Sequence, residues 1–249
     1  MSETIHAKKV FGRRKGPALS ARQKDLMRTL LPQLAFQPQA ARAAADYFDN
    51  NCEVWLEIGF GAGEHLVAQA SLHPDTGIIG VEPYISGVAK LLSKISLSPT
   101  GIPLSPTEGE GQGEGALHPQ RKHCNIRLYT EDARDVIAAL PDASLSRVFL
   151  LFPDPWPKTR HHKRRFVQMD MLDRLARIMR GGAEFRFATD DTGYLLWTLE
   201  RLSAHPEFAW LARSPEDWRR RPADWPQTRY EAKAIAAGRA CTYLRFLRR

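Results

Sequence analysis

Residues 54–64 read Val-Trp-Leu-Glu-Ile-Gly-Phe-Gly-Ala-Gly-Glu, and this stretch decides the fold. Its first five residues form a short, mostly apolar run, which is typical of a parallel strand covered on both faces. Gly59, Gly61 and Gly63 then permit a tight turn and the close approach of a ligand to the backbone. Because a helix is expected to begin near Glu64, the stretch predicts a strand, a ligand-binding loop and a helix N-terminus in succession.

Alternation of strands and helices continues on the C-terminal side of this loop. Short apolar runs predict further strands, and such alternation predicts an α/β fold with a doubly wound, mostly parallel sheet. The last two runs are expected to form an antiparallel edge. The predicted strands are Val54–Ile58, Gly77–Val81, Ile126–Tyr129, Arg147–Phe152, Ala183–Ala188, Phe208–Leu211 and Thr242–Leu247.

Apolar stripes at helical spacing predict the intervening helices. The stripes run over 88–95, 166–175 and 195–202, and the pair Gly181–Gly182 is expected to end the second helix. Two short helices are expected ahead of the first strand, over Asp25–Leu31 and Gln39–Phe48.

Charge, apolar runs and cysteine content limit the partners and the cellular location that the protein can have. The 249 residues carry 36 Lys and Arg against 28 Asp and Glu, a net charge of +8, which suits nucleic acid or an anionic membrane surface. No apolar run approaches the roughly 18 residues of a spanning helix, and no secretory signal follows the basic N-terminus. Cys52, Cys124 and Cys241 fit neither a disulfide framework nor a metal spacing, so we expect a cytoplasmic protein without a metal.

The chain is predicted to have two parts. Residues 1–50 form a basic N-terminal arm with short helices, flexible up to about residue 24, and residues 51–249 form one domain. A segment rich in Pro and Gly, Ser96–Gln120, interrupts that domain. It can bury little apolar surface, so we expect a disordered surface loop.

The residue after the glycine loop decides the class of cofactor. A dinucleotide fingerprint would need Gly at position 64, but the residue there is Glu64, and a carboxylate disfavours the pyrophosphate of NAD or FAD. S-adenosylmethionine carries a sulfonium, an ammonium and a ribose diol but no phosphate, so acidic residues should surround it. Acids do stand at the ends of four successive predicted strands, where they would face one crevice: Glu57, Glu82, Asp132 and Asp154.

Each acid has an expected role. Glu57 lies inside a buried strand and therefore needs a partner. Glu82 stands where an acid in such folds binds the ribose hydroxyls. Asp132 is suited to the adenine amino group, or alternatively to capping the helix that follows it.

Residues 152–165 read Phe-Pro-Asp-Pro-Trp-Pro-Lys-Thr-Arg-His-His-Lys-Arg-Arg. The two prolines are expected to hold Phe152 and Asp154 extended. Trp156 offers a face on which a base could stack, or alternatively fills the core at a rigid turn. The cations suit a polyanion such as nucleic acid, and the adjacent histidines suit a phosphate-facing turn better than zinc. These cations are Lys158, Arg160, Lys163, Arg164 and Arg165.

Four motifs, at 57–63, 152–165, 188–190 and 228–231, resemble the bacterial tRNA (guanine-N7-)-methyltransferase family over about residues 50–249. The resemblance implies a class I, Rossmann-like methyltransferase with a seven-stranded sheet, which modifies the guanosine at position 46 of the tRNA variable loop. It also implies cofactor binding by the four acids and an active-site role for Asp154. The substrate-binding positions that it implies are Lys158, Asp190, Thr228, Arg229, Tyr230 and Glu231.

Two features depart from the family pattern. The Ser96–Gln120 segment is longer than the usual connection, and Arg229 and Tyr230 stand where the family often has Lys and Phe. Local structure offers alternatives for two substrate positions, because Thr228–Glu231 has the signature of a capping box and Asp190 could cap the helix after Thr192.

Guanine N7 is an unprotonated acceptor, so an in-line methyl transfer to it requires no general base. We therefore assign Asp154 to orientation of the base and stabilisation of its developing positive charge. The basic arm, Lys8–Arg28, is expected to contact the tRNA backbone. Alternatives are a non-catalytic RNA-binding module and a methyltransferase for another RNA site; the oligomeric state, monomer or homodimer, stays open.

Overall fold

The computed structural model of the protein describes Gly12, Arg14 and residues 16–40, 42–48, 53–97 and 125–249. Within these ranges seven strands form one sheet in the order β3-β2-β1-β4-β5-β7-β6, where β1 to β5 are parallel and β7 runs antiparallel to both β5 and β6. This confirms the predicted doubly wound sheet with an antiparallel edge. The strands are β1 (Val54–Ile58), β2 (Gly77–Val81), β3 (Ile126–Tyr129), β4 (Leu145–Leu151), β5 (Met179–Thr189), β6 (Phe208–Trp210) and β7 (Thr242–Arg248).

Helices cover both faces of the sheet in the described part of the chain. They are α1 (Ala21–Thr29), α2 (Leu31–Leu34), α3 (Glu64–Leu72), α4 (Ile85–Leu97), α5 (Ala133–Ala139), α6 (Met169–Ile178), α7 (Thr192–Ala204), α8 (Glu216–Arg219) and α9 (Arg229–Ala236). Two 3₁₀ turns, Ala44–Tyr47 and Thr159–Arg164, complete the regular structure.

Alternation along β1 decides which face each side chain joins. Val54, Leu56 and Ile58 pack with α5, α6 and α7, whereas Trp55 packs on the opposite face with α1, α3 and α4. Since successive strand residues point to opposite faces, Glu57 shares the face of Trp55 and points toward α3. This placement governs its role in the site.

The N-terminal helices differ from their predicted bounds. The first begins at Ala21, because Ser20 and Gln23 form a capping box. In the described part of the region predicted as the helix Gln39–Phe48, the regular structure is the 3₁₀ turn Ala44–Tyr47. The side chains of three leucines on α1, α2 and their junction are each 1% exposed, namely Leu26, Leu30 and Leu34. Full burial of one leucine contributes about 1.5–3 kcal/mol, so this part of the arm is firmly attached to the domain.

The predicted helix stop at Gly181–Gly182 is wrong. Helix α6 ends at Ile178, and both glycines lie inside β5. Between the pairs Leu145–Met179 and Arg147–Glu184, β4 advances two residues but β5 advances five, and Gly182 adopts a φ of +79° in this irregular part. A bulge therefore takes up the surplus residues, and glycine supplies its left-handed backbone.

Two further predictions concern the loop Ser96–Gln120 and the three cysteines. Ser96 and Leu97 belong to α4, so the predicted loop begins later than expected, and residues 98–120 lie outside the described residues. Cys241 is free and buried, while Cys52 and Cys124 also lie outside the described residues. Among the helices that the structure describes, none has the length and apolar character needed to cross a membrane.

Candidate active site

A cleft runs along the carboxyl ends of β1, β2, β3 and β4. It consists of two adjoining cavities of about 400 and 310 Å³. Both cavities are lined by Ile58, Gly59, Pro83, Arg164 and Phe166. The strand order reverses between β1 and β4, and ligands of open α/β sheets bind at such a switch point.

The glycine loop forms the floor of this cleft. Gly59, Gly61 and Gly63 have φ values of +74°, +59° and +73°, and Gly63 is the N-cap of α3. These left-handed conformations are costly for other residues, which confirms that the loop makes the expected tight turn before a helix N-terminus.

Replacing Gly63 by alanine is expected to destabilise the fold more than replacing Gly182. Both positions would suffer the left-handed strain of about 1–3 kcal/mol. At Gly63 the added Cβ would also lie 3.0 and 3.1 Å from Cβ and Cγ of the fully buried Leu91, whereas nothing lies within 4 Å of a Cβ at Gly182. Overpacking adds about 1–3 kcal/mol, which denaturant unfolding of the two variants measures directly. Equal losses of stability would contradict the close packing of the loop on α4.

Glu82 connects the loop to the second strand. Its Oε2 accepts a hydrogen bond from the Gly61 N–H at 2.7 Å, and its Oε1 accepts one from the Tyr84 N–H at 2.9 Å. Burial raises the pKa of this carboxyl, the two backbone hydrogen bonds oppose the rise, and the charges of Asp154 and Glu57 add to it. Since Glu82 also lines the larger part of the cleft, it both shapes the loop and faces the ligand space.

The structure confirms the capping role of Asp132, and its adenine-binding role stays a prediction. This residue caps α5 by accepting the Arg134 N–H at 2.9 Å, and its carboxylate is also held by the Arg134 guanidinium. It lines the smaller cavity of the cleft beside Gly59 and Arg164.

Glu57 is placed differently from the other acids. It is 3% exposed, its Oε2 lies 2.8 Å from Nδ1 of the buried His65, and it lies outside the lining of the cleft. The expectation that this buried acid needs a partner is confirmed, and the partner is on α3. Glu57 thus lies one layer beneath the glycine loop.

Asp154 lies at the mouth of the cleft. Its side chain is open to solvent, yet the surrounding walls limit its hydration and raise the pKa of its carboxyl. The prediction that Phe152 is extended is wrong: Phe152 and Trp156 have φ values of +51° and +46°. Two left-handed residues therefore bracket the Pro-Asp-Pro turn, and such strain commonly accompanies functional sites.

Lys163 and Arg164 line the cleft, and Lys158 and Arg160 lie in the turn that follows Trp156. Lys158, Arg160 and Lys163 are exposed, and the Arg164 guanidinium lies 4.9 Å from the centre of the Trp156 ring. The prediction that Arg165 contacts tRNA is wrong. Its side chain is buried, with 3% of the residue exposed, and it donates to the carbonyl oxygens of Pro155 and Gly193. Its guanidinium braces the turn from inside and is not presented to a partner.

The predicted substrate positions on α9 fall on two of its faces. Arg229 and Tyr230 line a small cavity with Gly61, and the Tyr230 hydroxyl has a pKa raised by burial and by the charges of Glu82 and Asp154. Glu231 and Asp190 instead line a separate cavity of about 620 Å³. The structure therefore brings Tyr230, Glu82 and Asp154 together, but not Asp190.

Local contacts resolve the two capping alternatives. Thr228 caps α9 by accepting the Glu231 N–H at 3.1 Å, but the Glu231 side chain binds Tyr243 and Arg221 instead of completing a capping box. The suggestion that Asp190 caps a helix is wrong, because Asp191 caps α7. Asp190 pairs with Arg239, at 2.7 Å from Nε.

Several contributors to the site had no signal in the sequence. Gly12 lines the cleft, where an added Cβ would lie 3.4 Å from Asp154 Oδ2, and Arg14 pairs with Glu131. His65 and Gln69 were also missed, although their spacing on α3 places them on one face. Among the residues with described positions, no group of three or more His, Cys, Asp or Glu could hold a metal ion.

Comparison with known proteins shows extensive similarity. A family model described as "Putative methyltransferase" matches residues 51–244. The tRNA (guanine-N(7)-)-methyltransferase of Rhodospirillum rubrum is 48% identical over 96% of this chain and 87% of the relative. The proteins of that name from Chelativorans sp. and Azorhizobium caulinodans are each 45% identical, covering 96% and 100% of this chain and 94% and 98% of theirs.

Solved structures resemble the chain in fold. The 16S rRNA methyltransferase KamB superposes with a TM-score of 0.50 and 14% sequence identity, over 82% of this chain and 90% of KamB. The shared architecture is therefore the Rossmann-like methyltransferase sheet.

Proposed function

The chain belongs to the family of tRNA (guanine-N(7)-)-methyltransferases, and we propose that it transfers the methyl group of S-adenosylmethionine to guanine N7 in tRNA, at position 46 of the variable loop. One observation supports this most strongly: the cleft at the switch point carries Glu82, Asp132 and Asp154 and opens beside the exposed cations of 158–163. Carboxylates in the cleft suit a cationic methyl donor, and the cations beside it suit a polyanion. A tRNA substrate also fits the predicted cytoplasmic location.

Glu82 fits S-adenosylmethionine by its remaining hydrogen-bonding capacity. An ionised carboxylate has about four acceptor sites, and Glu82 uses two of them on Gly61 and Tyr84, so two stay available for a ribose diol. Asp132 already accepts four hydrogen bonds from Arg134, so its proposed contact with the adenine amino group requires Arg134 to release part of the carboxylate. The backbone of the glycine loop can lie close to the methionine part. Glu57, beneath the loop, adds negative charge near the sulfonium and ammonium groups.

In the proposed reaction S-adenosylmethionine supplies an electrophilic methyl group. The N7 lone pair forms the new N–C bond while the S–C bonding pair returns to sulfur, so no proton has to move. The carboxylate of Asp154 orients the guanine and stabilises the positive charge that develops on its ring. Catalysis then rests chiefly on orientation and on the exclusion of water.

The turn at 152–165 supports access to a base that starts within the tRNA fold. Taking a base out of its stack costs a few kcal/mol. The Trp156 ring, which contacts the Arg164 guanidinium and the edge of the His161 ring, is proposed to offset part of that cost by stacking. Lys158 and Arg160 are proposed to contact phosphates.

Removing the exposed cations of this turn should reduce the salt dependence of tRNA binding. For Lys158→Ala and Arg160→Ala we expect the slope of log K against log salt to fall by about one each, because each phosphate contact releases about one counterion. Arg180→Ala is the matched control. Arg180 lies at the amino end of β5, whereas the cleft lies at the carboxyl ends of the strands, and it pairs with Glu53. Filter-binding titrations over a salt series provide the slopes; identical slopes for all three variants would exclude this turn as the tRNA contact.

The proposed activity is tested by incubating the protein with methyl-labelled S-adenosylmethionine and total tRNA. We expect label in 7-methylguanosine from the variable loop after nuclease digestion and mapping. Label in another nucleoside or another RNA position would identify a methyltransferase for a different site. RNA binding without any transfer of label would instead indicate a non-catalytic RNA-binding module.

A further inference from the structure

A buried line of polar contacts runs from β1 to the segment that precedes α9. Glu57 Oε2 lies 2.8 Å from His65 Nδ1, His65 Nε2 lies 3.4 Å from Gln69 Nε2, and Gln69 Nε2 donates to the carbonyl oxygen of Asp224 at 2.7 Å. His65 and Gln69 are 2% and 1% exposed. The line joins parts of the chain that are 155 residues apart at the Gln69–Asp224 contact.

Hydrogen-bonding capacity fixes the direction of every contact in this line. The Asp224 carbonyl can only accept, so the Gln69 amide must present its N–H groups to it. The same amide nitrogen then faces His65 Nε2, which must accept and cannot carry a proton. We therefore assign the His65 proton to Nδ1, which donates to the Glu57 carboxylate.

This orientation leaves one atom unsatisfied. Gln69 Oε1 has no hydrogen-bond partner within the described chain, although it is buried. Turning the amide round would bring Oε1 to His65 but would set two oxygens against each other at Asp224. The contact with the Asp224 carbonyl therefore dominates the arrangement.

The line holds the segment that leads into α9. Beyond Asp224, whose carboxylate pairs with the buried Arg186 at 2.7 Å, the chain reaches the cap Thr228 and then Tyr230. Tyr230 lies over the glycine loop, since a Cβ on Gly61 would be 3.3 Å from Tyr230 Cε2. Glu57 is in β1, the strand that leads into this loop. One end of the line therefore adjoins the glycine loop, and the other adjoins the segment that carries Tyr230.

We propose that His65 and Gln69 are positioning residues that hold α9 against the glycine loop. They thereby place the Tyr230 side chain in the lining of the cofactor cleft, together with Glu82 and Asp154. The inference rests on the proposed methyl transfer for its kinetic consequence. A residue that merely filled the core would act through its volume, whereas these two act through the direction of their hydrogen bonds.

Two substitutions at Gln69 separate direction from volume. Gln69→Met keeps the volume but removes the N–H donors, and Gln69→Glu sets a carboxylate against the Asp224 carbonyl. We expect kcat/KM for tRNA to fall about tenfold in Gln69→Met and further in Gln69→Glu, with the Kd for S-adenosylmethionine changed less than threefold. Ser71→Ala is the control on the same helix, because the Ser71 hydroxyl is exposed and donates to the Val67 carbonyl within that helix. Wild-type kinetics in Gln69→Met would overturn the proposal; if that variant fails to fold, Gln69→Leu removes the same donor, leaves the Glu57–His65 pair intact and is measured instead.

Nitrogen NMR of the histidine rings tests the line independently of activity. We expect His65 to carry its proton on Nδ1 in the wild type and on both nitrogens in Gln69→Glu, where the new carboxylate faces Nε2. A wild-type proton on Nε2 would refute the assigned direction. If the wild type does not methylate tRNA, the proposed function fails while this measurement still decides whether the line exists.

Discussion

Replacing Asp154 by alanine is expected to lower the single-turnover methylation rate by about 100- to 1,000-fold, the usual cost of removing one preorganised electrostatic contact to a transition state. Asp154 lies at the cleft mouth with Glu82 and Tyr230, and its carboxylate is proposed to balance the positive charge on the methylated guanine. Binding of S-adenosylmethionine and of tRNA should change far less, because other residues supply most of their contacts. Rapid-quench single-turnover assays with saturating cofactor measure the rate, and equilibrium binding measures the affinities.

The same carboxylate predicts a pH dependence. The walls of the cleft limit the hydration of the Asp154 carboxylate and raise its pKa, so its ionised form becomes dominant at a higher pH than for an ordinary aspartate. Since the ionised form is the active one, the single-turnover rate should rise with pH through this raised pKa and then level off. Asp154→Asn should lose that rise and stay slow at every pH.

A matched control removes an acid near the amino ends of the strands, away from the cleft. Asp142 precedes β4, is largely exposed and pairs with Arg177, so Asp142→Ala should keep the wild-type rate. A near-normal single-turnover rate in Asp154→Ala would show that the reaction does not depend on this charge. A loss confined to cofactor affinity would assign Asp154 to binding alone.

Much of the fold could be predicted because buried parallel strands leave a strong local signal. The predicted bounds of β1, β2 and β3 agree with the structure to the residue, since their runs are short and largely apolar. The start of β5 could not be predicted, because Gly181 and Gly182 are common helix stops and their place in a bulge depends on pairing with β4.

The site was predictable where chemistry follows strand ends and unpredictable where it depends on distant contacts. Gly61, Glu82 and Asp132 lie in one cleft because the sheet topology brings successive carboxyl ends together. The partner of Glu57 could not be named, since many buried polar residues could have satisfied it. The burial of Arg165 was equally hidden, because an arginine among exposed cations has the same local sequence as its neighbours.

Glu82 provides the second large expected effect, a loss of cofactor affinity. In Glu82→Gln the amide can accept from only one of the two backbone N–H groups, and its NH₂ group would face the other. The loop at Gly61 and the proposed ribose contact would both weaken. Hydrogen bonds to a charged group contribute about 1.5–3 kcal/mol, so we expect the Kd for S-adenosylmethionine to rise about 10- to 100-fold.

The pH dependence of cofactor binding follows from the same residue. Burial is the largest cause of the raised pKa of Glu82, so protonation begins at a higher pH than for an ordinary glutamate. Wild-type affinity should therefore weaken as the pH falls through that raised pKa, and Glu82→Gln should lack this dependence. Calorimetric titrations over a pH series measure both effects.

Glu53→Gln serves as the control. Glu53 precedes β1 at the amino ends of the strands, away from the cleft, and pairs with Arg180. An unchanged Kd in Glu82→Gln would mean that the acid shapes the loop without contacting the cofactor, and the placement of the ribose beside β2 would then be wrong.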